Sequence, residues 1–487
     1  MKRRTRRSGR QYCHTIFRLL VRPGGWLALA VLCALIPGSC TGRGTEVESP
    51  VELPREFSKQ GQEPLPHKWW TAFCDERLDA LVADALRGNF GIRQAWDRLD
   101  QARAAAAKAG APLWPSLDGT AGAGRNVSHT PAGGTQGINE FSLGLAVSYE
   151  VDFWGRVRSA HDAALLDVSA TEQDLQAAAT TLSADIARTW FRLAEQQAQL
   201  KLVGRQVQTN ETYLQAITLQ FRRGQIGATD VLQQRQLVES TRGDQVQVRS
   251  GVEVLAHQLA VLAGRPPSSV EGAAPDALPE LPPLPSAGVP ADWVRRRPDV
   301  RAAEARVRAA DRRLAAAMAD RLPRLSLTLN ASTTAEEIRD LFDNWMASIA
   351  ANLVAPLFDA GERQAEVERT RAVVSEAVNA YGQTVLTALQ EVEDALVQEA
   401  RQAEYVRSLG EQFELSRQAK DRTLANYRKG AAGFTRYLTT LQSYQQLQRS
   451  HLRARRDLLL FRIDLYRALA GGWELPRPPR AELTQSD

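Results

Sequence analysis

In the stretch FSLGLAVSYEVDF (141–153) the odd positions Phe141, Leu143, Leu145, Val147, Tyr149, Val151 and Phe153 are all apolar, while the even ones are Ser, Gly, Ala, Ser, Glu and Asp. Period two with one oily and one small or polar face predicts a strand. LSLTLNAS (325–332) alternates in the same way, and Trp345, Ile349, Leu353 and Leu357 share one side of a further segment. With the Gly- and Ala-rich stretch Leu117–Arg125 these make two hairpins, 115–153 and 323–357, with loops expected near 126–140 and 333–344. After each hairpin the period becomes helical and stays so for an unusual length, about 155–223 and 361–429, before a Gly-x-x-Gly turn and a return helix, 228–262 and 434–469. Rods of that length reach on the order of 100 Å at ~1.5 Å per residue. Shorter helices are expected ahead of the hairpins, about 76–109 and 299–321.

The two sets of elements are copies. At a shift of about 207 residues Arg93, Ala95, Arg98 and Ala102 recur as Arg301, Ala303, Arg306 and Ala310, and Pro115 and Leu117 as Pro323 and Leu325. FRRGQIGATDVL (221–232) realigns with YRKGAAGFTRYL (427–438), matching Gly224 to Gly430, Gly227 to Gly433 and Thr229 to Thr435. One architecture is therefore used twice, as repeat 1 (69–264) and repeat 2 (291–473), joined by a Pro-rich linker (265–290) expected to be extended and followed by a tail (474–487).

Composition changes this picture mainly at the N-terminus. Of the formal charge of +5, eight cations lie before Cys40 with no acid among them, and removing them leaves about −3, so nucleic-acid binding loses its electrostatic footprint. Residues 1–39 have the layout of an export signal, a basic start followed by WLALAVLCALI (26–36) and small residues. Gly38-Ser39-Cys40 resembles the lipobox of bacterial lipoproteins, departing from it at Pro37, and marks Cys40 as the lipidation site at the head of a tether, 40–68. Cys13 and Cys33 fall in the signal, so Cys74 stands alone in the exported chain, where it is expected to be a small buried hydrophobe. No apolar run of transmembrane-helix length follows Cys40, so a membrane crossing has to use strands. Such strands must close into a barrel. Barrels of one chain start at eight strands and this chain supplies four, so closure demands more than one subunit. Taken alone, the strands also fit a soluble sandwich, and the rods a coiled-coil scaffold without a pore.

WWTAFCDERLDALVADAL (69–86), YEVDFWGRVR (149–158), FRRGQIGATDVLQ (221–233), RRPDVRAAEARVRAA (296–310), LFDAGERQAEV (357–367), QEVEDAL (390–396) and LYRALAGGW (465–473) together resemble the TolC-like outer-membrane efflux proteins, in their lipoprotein branch, over nearly all of 68–473. The resemblance implies a mainly α fold with a membrane β-barrel. Three chains, four strands each, would close a 12-stranded barrel continued by a long α-helical periplasmic barrel. It implies a homotrimer anchored in outer-membrane lipid, a periplasmic adaptor protein and an inner-membrane pump of the resistance-nodulation-division type. In such a system the chain is a passive exit duct for drugs or other small molecules, with a duct for peptides or proteins as the nearest alternative. It further implies adaptor docking at the turns, Gly224, Gly227, Thr229, Gly430, Gly433 and Thr435, and a gate at Tyr427, Leu438 and Gln442, the last standing where relatives often carry a carboxylate.

The chain has no phosphate-binding loop, HExxH, G-x-S-x-G or C-x-x-C, its histidines are scattered singly and it has three methionines. No catalytic residue, cofactor or metal site is expected. Replacing Cys40 with Ser is expected to abolish labelling of the protein by a fatty-acid analogue, and labelling that persists would assign the anchor elsewhere.

Overall fold

The computed structural model describes residues 50–131, 134–267 and 277–478. The signal, Cys40, the first part of the tether, the middle of the linker and the last part of the tail lie outside the described residues. Among those described, no helix is long and apolar enough to cross a membrane. The elements follow in the order α1 (Glu76–Gly88), α2 (Phe90–Gly110), β1 (Ser116–Thr130), β2 (Gly134–Val151), α3 (Arg156–Arg222), α4 (Ala228–Leu262), α5 (Pro298–Ala319), β3 (Arg324–Ala335), β4 (Trp345–Val354), α6 (Glu362–Arg428) and α7 (Phe434–Leu469).

The duplication is visible in the backbone. Helices α3 and α6 are each 67 residues long, and each is entered from a left-handed glycine, Gly155 (φ 74°) and Gly361 (φ 90°). In each half an aspartate ahead of that helix satisfies free amides of the entry. Asp152 accepts from Val157 N and Arg158 N at 3.0 and 2.8 Å, and Asp359 from Gly361 N at 3.0 Å. The helix expected over 76–109 is in fact two. Asn89 breaks it, ending α1 and capping α2 through Oδ1 to Gly91 N (2.7 Å) and Ile92 N (3.2 Å), while its Nδ2 holds Leu262 O at the end of α4. A side chain that serves three backbone groups outweighs the helical periodicity around it.

The four strands form one antiparallel sheet in the order β1-β2-β3-β4, and the β2–β3 pairing, from Val151↔Leu325 to Phe141↔Ala335, fuses the two hairpins. Directly opposed residues share a face, so the register gathers Leu117, Leu143, Leu145, Val147, Tyr149, Leu325, Leu327, Leu329, Trp345, Ile349 and Leu353 on one side. The opposite side carries Asp118, Thr120, Ser142, Ser148, Glu150, Ser326, Thr328, Asn330, Ser348 and Asn352. Much of the oily face is exposed, with Trp345 at 77% and Ile349 at 82%. The loop expected at 126–140 is mostly strand. Pairing continues through Asn126↔Ile138 to Thr130↔Gly134, so the turn-forming residues of that stretch sit in a long hairpin arm, held by cross-strand bonds that single-sequence turn chemistry does not register.

The main apolar core lies midway along the long helices. A 3-10 turn, Trp69–Phe73, inserts three aromatics against α3 and α7, with Trp69 and Phe73 on Tyr466, Phe73 on Phe191 and Trp70 on Trp473. The turn ends at Cys74 in a left-handed conformation (φ 52°), which leaves this thiol exposed and not in the core where its apolar neighbours suggested it belonged. Ion pairs surround the core. Arg297 binds Asp299 and Glu391 and donates to the Ala388 and Ala468 carbonyls, and Glu391 also takes Arg467 at 3.0 Å. Burial works against the Arg297 charge, yet Asp299 and Glu391 hold it above its ordinary range. Burial equally opposes ionisation of Glu391, and Arg297 and Arg467 outweigh it and depress its carboxyl. The nearly inaccessible Arg462 forms two 2.6 Å bonds to Glu399 and donates to the Pro282 and Pro283 carbonyls, which pins the linker to α6 and α7. The tether is also pinned over its described part. Phe57 is buried on Trp293, and Gly61 approaches so closely that a Cβ would lie 1.9 Å from Leu284 O.

Asp75 caps α1 through Oδ1 to Arg77 N and Leu78 N, and its Oδ2 accepts from the buried Trp190 Nε1 at 2.8 Å. Asp75→Ala therefore loses a cap and strands a buried indole donor, an expected cost of about 2–4 kcal/mol in denaturant unfolding. Asp75→Asn keeps the cap and is expected to lose less, and an alanine variant within about 0.5 kcal/mol of wild type would refute this account.

Candidate functional site

At the ends of the long helices farthest from the sheet, α3 and α6 stop in the same way. Gly224 (φ 70°) donates to Phe221 O and Gln225 N to Gln220 O. Gly430 (φ 73°) donates to Tyr427 O and Ala431 N to Asn426 O, all at 2.9–3.0 Å. This paired 5→2 and 6→1 pattern needs a residue free to adopt positive φ, which accounts for both glycines. The second glycine of each turn differs. Gly227 and Gly433 are extended (φ −80° and −71°) at the starts of α4 and α7, and a Cβ on either would meet nothing closer than 4.0 Å. Their backbone could be that of any residue, so the turn geometry does not account for them. Thr229, Thr435 and Arg436 are exposed beside them.

Just behind the turns the two helical hairpins are locked by aromatics. Phe434, Tyr437, Leu438 and Leu441 follow the 0, 3, 4, 7 spacing of one helix face and pack with Ile217 and Leu237 from the other hairpin. Tyr437, 1% exposed, meets Tyr213 edge-on at 5.3 Å and lies parallel to Tyr427 at 6.2 Å, while Tyr427 contacts Phe434 at 5.7 Å. The Tyr427 hydroxyl donates to Gln220 Oε1 at 2.6 Å, joining α6 to α3. Burial, with Asp230 nearby, pushes the Tyr427 phenol above its usual range, and burial pushes Tyr437 much further, so both phenols stay neutral.

Of the three residues singled out for a gate, Tyr427 and Leu438 belong to this cluster, with Leu438 buried inside the protomer. Gln442, one turn on, stands exposed outside it. Tyr213, Gln220, Phe434 and Tyr437 were not singled out from sequence, although the apolar spacing in FTRYLTTL marks the α7 members. Beyond the cluster a buried polar ladder continues between α3, α4 and α7. Asn210 and Gln445 exchange amide bonds at 2.9 and 3.3 Å, Asn210 also reaches Thr241, and Gln234 donates to Asn210 O. Gln206 bonds Gln445 O and Gln448, and Arg449 bonds Asp244 at 2.8 Å. Such a layer fixes helix register because any slip leaves buried amides unpaired.

Because Gly227 has a permissive backbone and open space at its Cβ, Gly227→Leu is expected to leave the fold intact while changing the turn surface. If that surface docks a partner, export measured as drug resistance falls while the oligomer persists. Full resistance with the leucine in place would place docking elsewhere.

Comparison with known proteins follows the same two halves. A family model described as outer membrane efflux protein matches residues 81–265 and 289–471. The pyoverdine export outer membrane protein OpmQ of Pseudomonas aeruginosa is 30% identical over 93% of this chain and 98% of its own length. The solvent efflux pump outer membrane protein SrpC of Pseudomonas putida is 30% identical over 83% and 87%. Among solved structures, the outer-membrane channel OprN superposes with a TM-score of 0.82 at 26% identity, covering 88% of this chain and 98% of its own. The Neisseria gonorrhoeae MtrE outer-membrane channel gives 0.78 at 26%, covering 89% and 98%. The chain belongs to the outer membrane efflux protein family, whose members are export channels and not enzymes.

Proposed function

We propose that three copies of the chain close their sheets edge to edge into a 12-stranded barrel in the outer membrane, continued into the periplasm by the long helices. The observation that carries this reading is the sheet. Its oily face extends across all four strands while β1 and β4 remain as open edges, an arrangement that hydrocarbon tolerates only after closure with further copies. Exposed aromatics at both ends of the strands, Trp114, Phe153, Trp154 and Phe358 on the helix side and Phe342 and Trp345 on the loop side, are placed as interfacial girdles. Acyl chains on Cys40 add an anchor. The cargo is small organic molecules, in keeping with the pyoverdine and solvent exporters among its relatives, moved by an inner-membrane pump of the resistance-nodulation-division type. A periplasmic adaptor docks on the turns, at Gly224, Gly227, Thr229, Gly430, Gly433 and Thr435, where surface that the fold does not require lies open.

In the gate, Tyr427 ties the second hairpin to α3, Leu438 stiffens that hairpin from within, and the exposed Gln442 faces the passage. With an amide at that position the constriction carries no acidic ring there. Opening moves the α6–α7 hairpin against α3 and α4 and breaks the Tyr427–Gln220 bond.

Purified protein is expected to run as a heat-sensitive oligomer and to conduct in planar bilayers. Tyr427→Phe, which removes one hydroxyl and no packing, is expected to raise single-channel conductance without loss of the oligomer. A monomer without conductance would overturn the channel, and an unchanged variant conductance would remove Tyr427 from the gate.

A further inference from the structure

The oily face of the sheet is not uniform. At the level of Leu143 and Leu145 it is interrupted by small residues, Gly119 and Ala121 on β1 and Ala331 on β3, which form the floor of a groove of about 560 Å³ walled by Leu143, Leu145, Phe342 and Trp345. The wall is held in place, since Thr333 Oγ1 donates to the Leu341 and Asn344 carbonyls on either side of the segment that carries Phe342. The volume falls within the range of about 300–1,000 Å³ typical of small-ligand sites, and the lining is mainly apolar, with Thr120, Ser332 and Thr333 as its hydroxyl residues.

Above this groove on the same face stands a cation. Ala123 pairs with Phe141, the last β2 residue paired with β3, and two residues further Arg125 pairs with Asn139 where β1 and β2 rise alone. The Arg125 guanidinium lies over Gly137, with Nε and one terminal nitrogen 3.4 Å from where a Cβ would be, which keeps it on the oily side of the hairpin. Among the described residues no carboxylate pairs with it; the nearby Glu140 lies on the opposite face and bonds Asn126. Four residues of strand separate Ala121 from Arg125, about 14 Å at ~3.4 Å each, which is a step from acyl-chain depth to headgroup level.

We propose that this surface binds one phosphate-bearing membrane lipid, with an acyl chain in the Gly119–Ala121–Ala331 groove and a phosphate on Arg125. The inference rests on the barrel reading, which turns this face toward the bilayer. The free cation above an apolar slot selects an anionic headgroup over a neutral one, because a guanidinium pairs with phosphate through two parallel bonds. Gly119→Leu fills the slot at little structural cost, since its Cβ meets only the Leu145 side chain, at 3.8 Å. Arg125→Gln removes the charge from an exposed site.

The test is native mass spectrometry of the full-length protein offered lipid A or its dephosphorylated form. Wild type is expected to retain the phosphorylated lipid, Arg125→Gln to retain it about tenfold less with no change for the dephosphorylated form, and Gly119→Leu to lose both. Equal retention of the two lipids by wild type, or unchanged retention in Arg125→Gln, overturns the proposal. Conductance of the same preparations separates the two readings. Channels that conduct but show no difference among variants count against the lipid site alone, whereas a wild-type protein that never conducts removes the barrel and this site with it.

Discussion

A backbone amide in hydrocarbon has no water to bond, and a sheet with an oily face therefore cannot leave an edge open there. This chain has such a face on four strands and two open edges. The demand for closure propagates through the rest of the molecule. Four strands cannot close alone, and in the barrel proposed above the sheet is shared between copies. The helices also leave apolar side chains exposed, such as Leu232, Val246 and Val254 on the 35-residue α4 and Leu386, Val397 and Leu415 on the 67-residue α6, which neighbouring rods of the proposed assembly would cover. The duplication provides the economical solution of two hairpins and two rods from one unit, placed side by side by the β2–β3 pairing.

Long parallel rods raise a second difficulty, because apolar stripes alone allow helices to slide. The structure opposes sliding at two levels. Midway, buried guanidiniums with several partners each, Arg297 and Arg462, tie α6 and α7 to the linker and to each other. Toward the turns, amide pairs such as Asn210–Gln445 set the register of α3 against α7. Removing one partner from such a site leaves a buried polar group without compensation, so these contacts define a single alignment more than they add net stability. Beyond them the aromatic cluster behind the turns rests on contacts between hairpins and the hydroxyl bond from Tyr427 to Gln220.

The motifs that carried the family resemblance are read differently once their contacts are known. QEVEDAL has the look of a solvated helix face, yet Glu391 joins Arg297 of RRPDV and Arg467 of LYRALAGGW, and Glu393 accepts from Ser58 N. WWTAF meets the same closing segment through Trp70 on Trp473. These stretches, well separated in the chain, assemble one collar around the core. Their joint presence is informative about fold, and they lie away from the turns.

The sequence by itself determined the periods, and with them the hairpins, the rods, the duplication and the positions of the turns, because alternation and helical spacing are local consequences of which side must be dry. It also marked Gly224 and Gly430, since positive φ is a local demand. Only the tertiary structure decided what depends on partners distant in sequence. Asn89 breaks a periodic helix by bonding Leu262, residues 126–130 become strand by pairing with 134–138, Cys74 is turned out of the core, and Leu438 is buried while Gln442 is left exposed. In each case the competing local preferences differ by about 1 kcal/mol or less per residue, and one long-range bond or packed ring settles them.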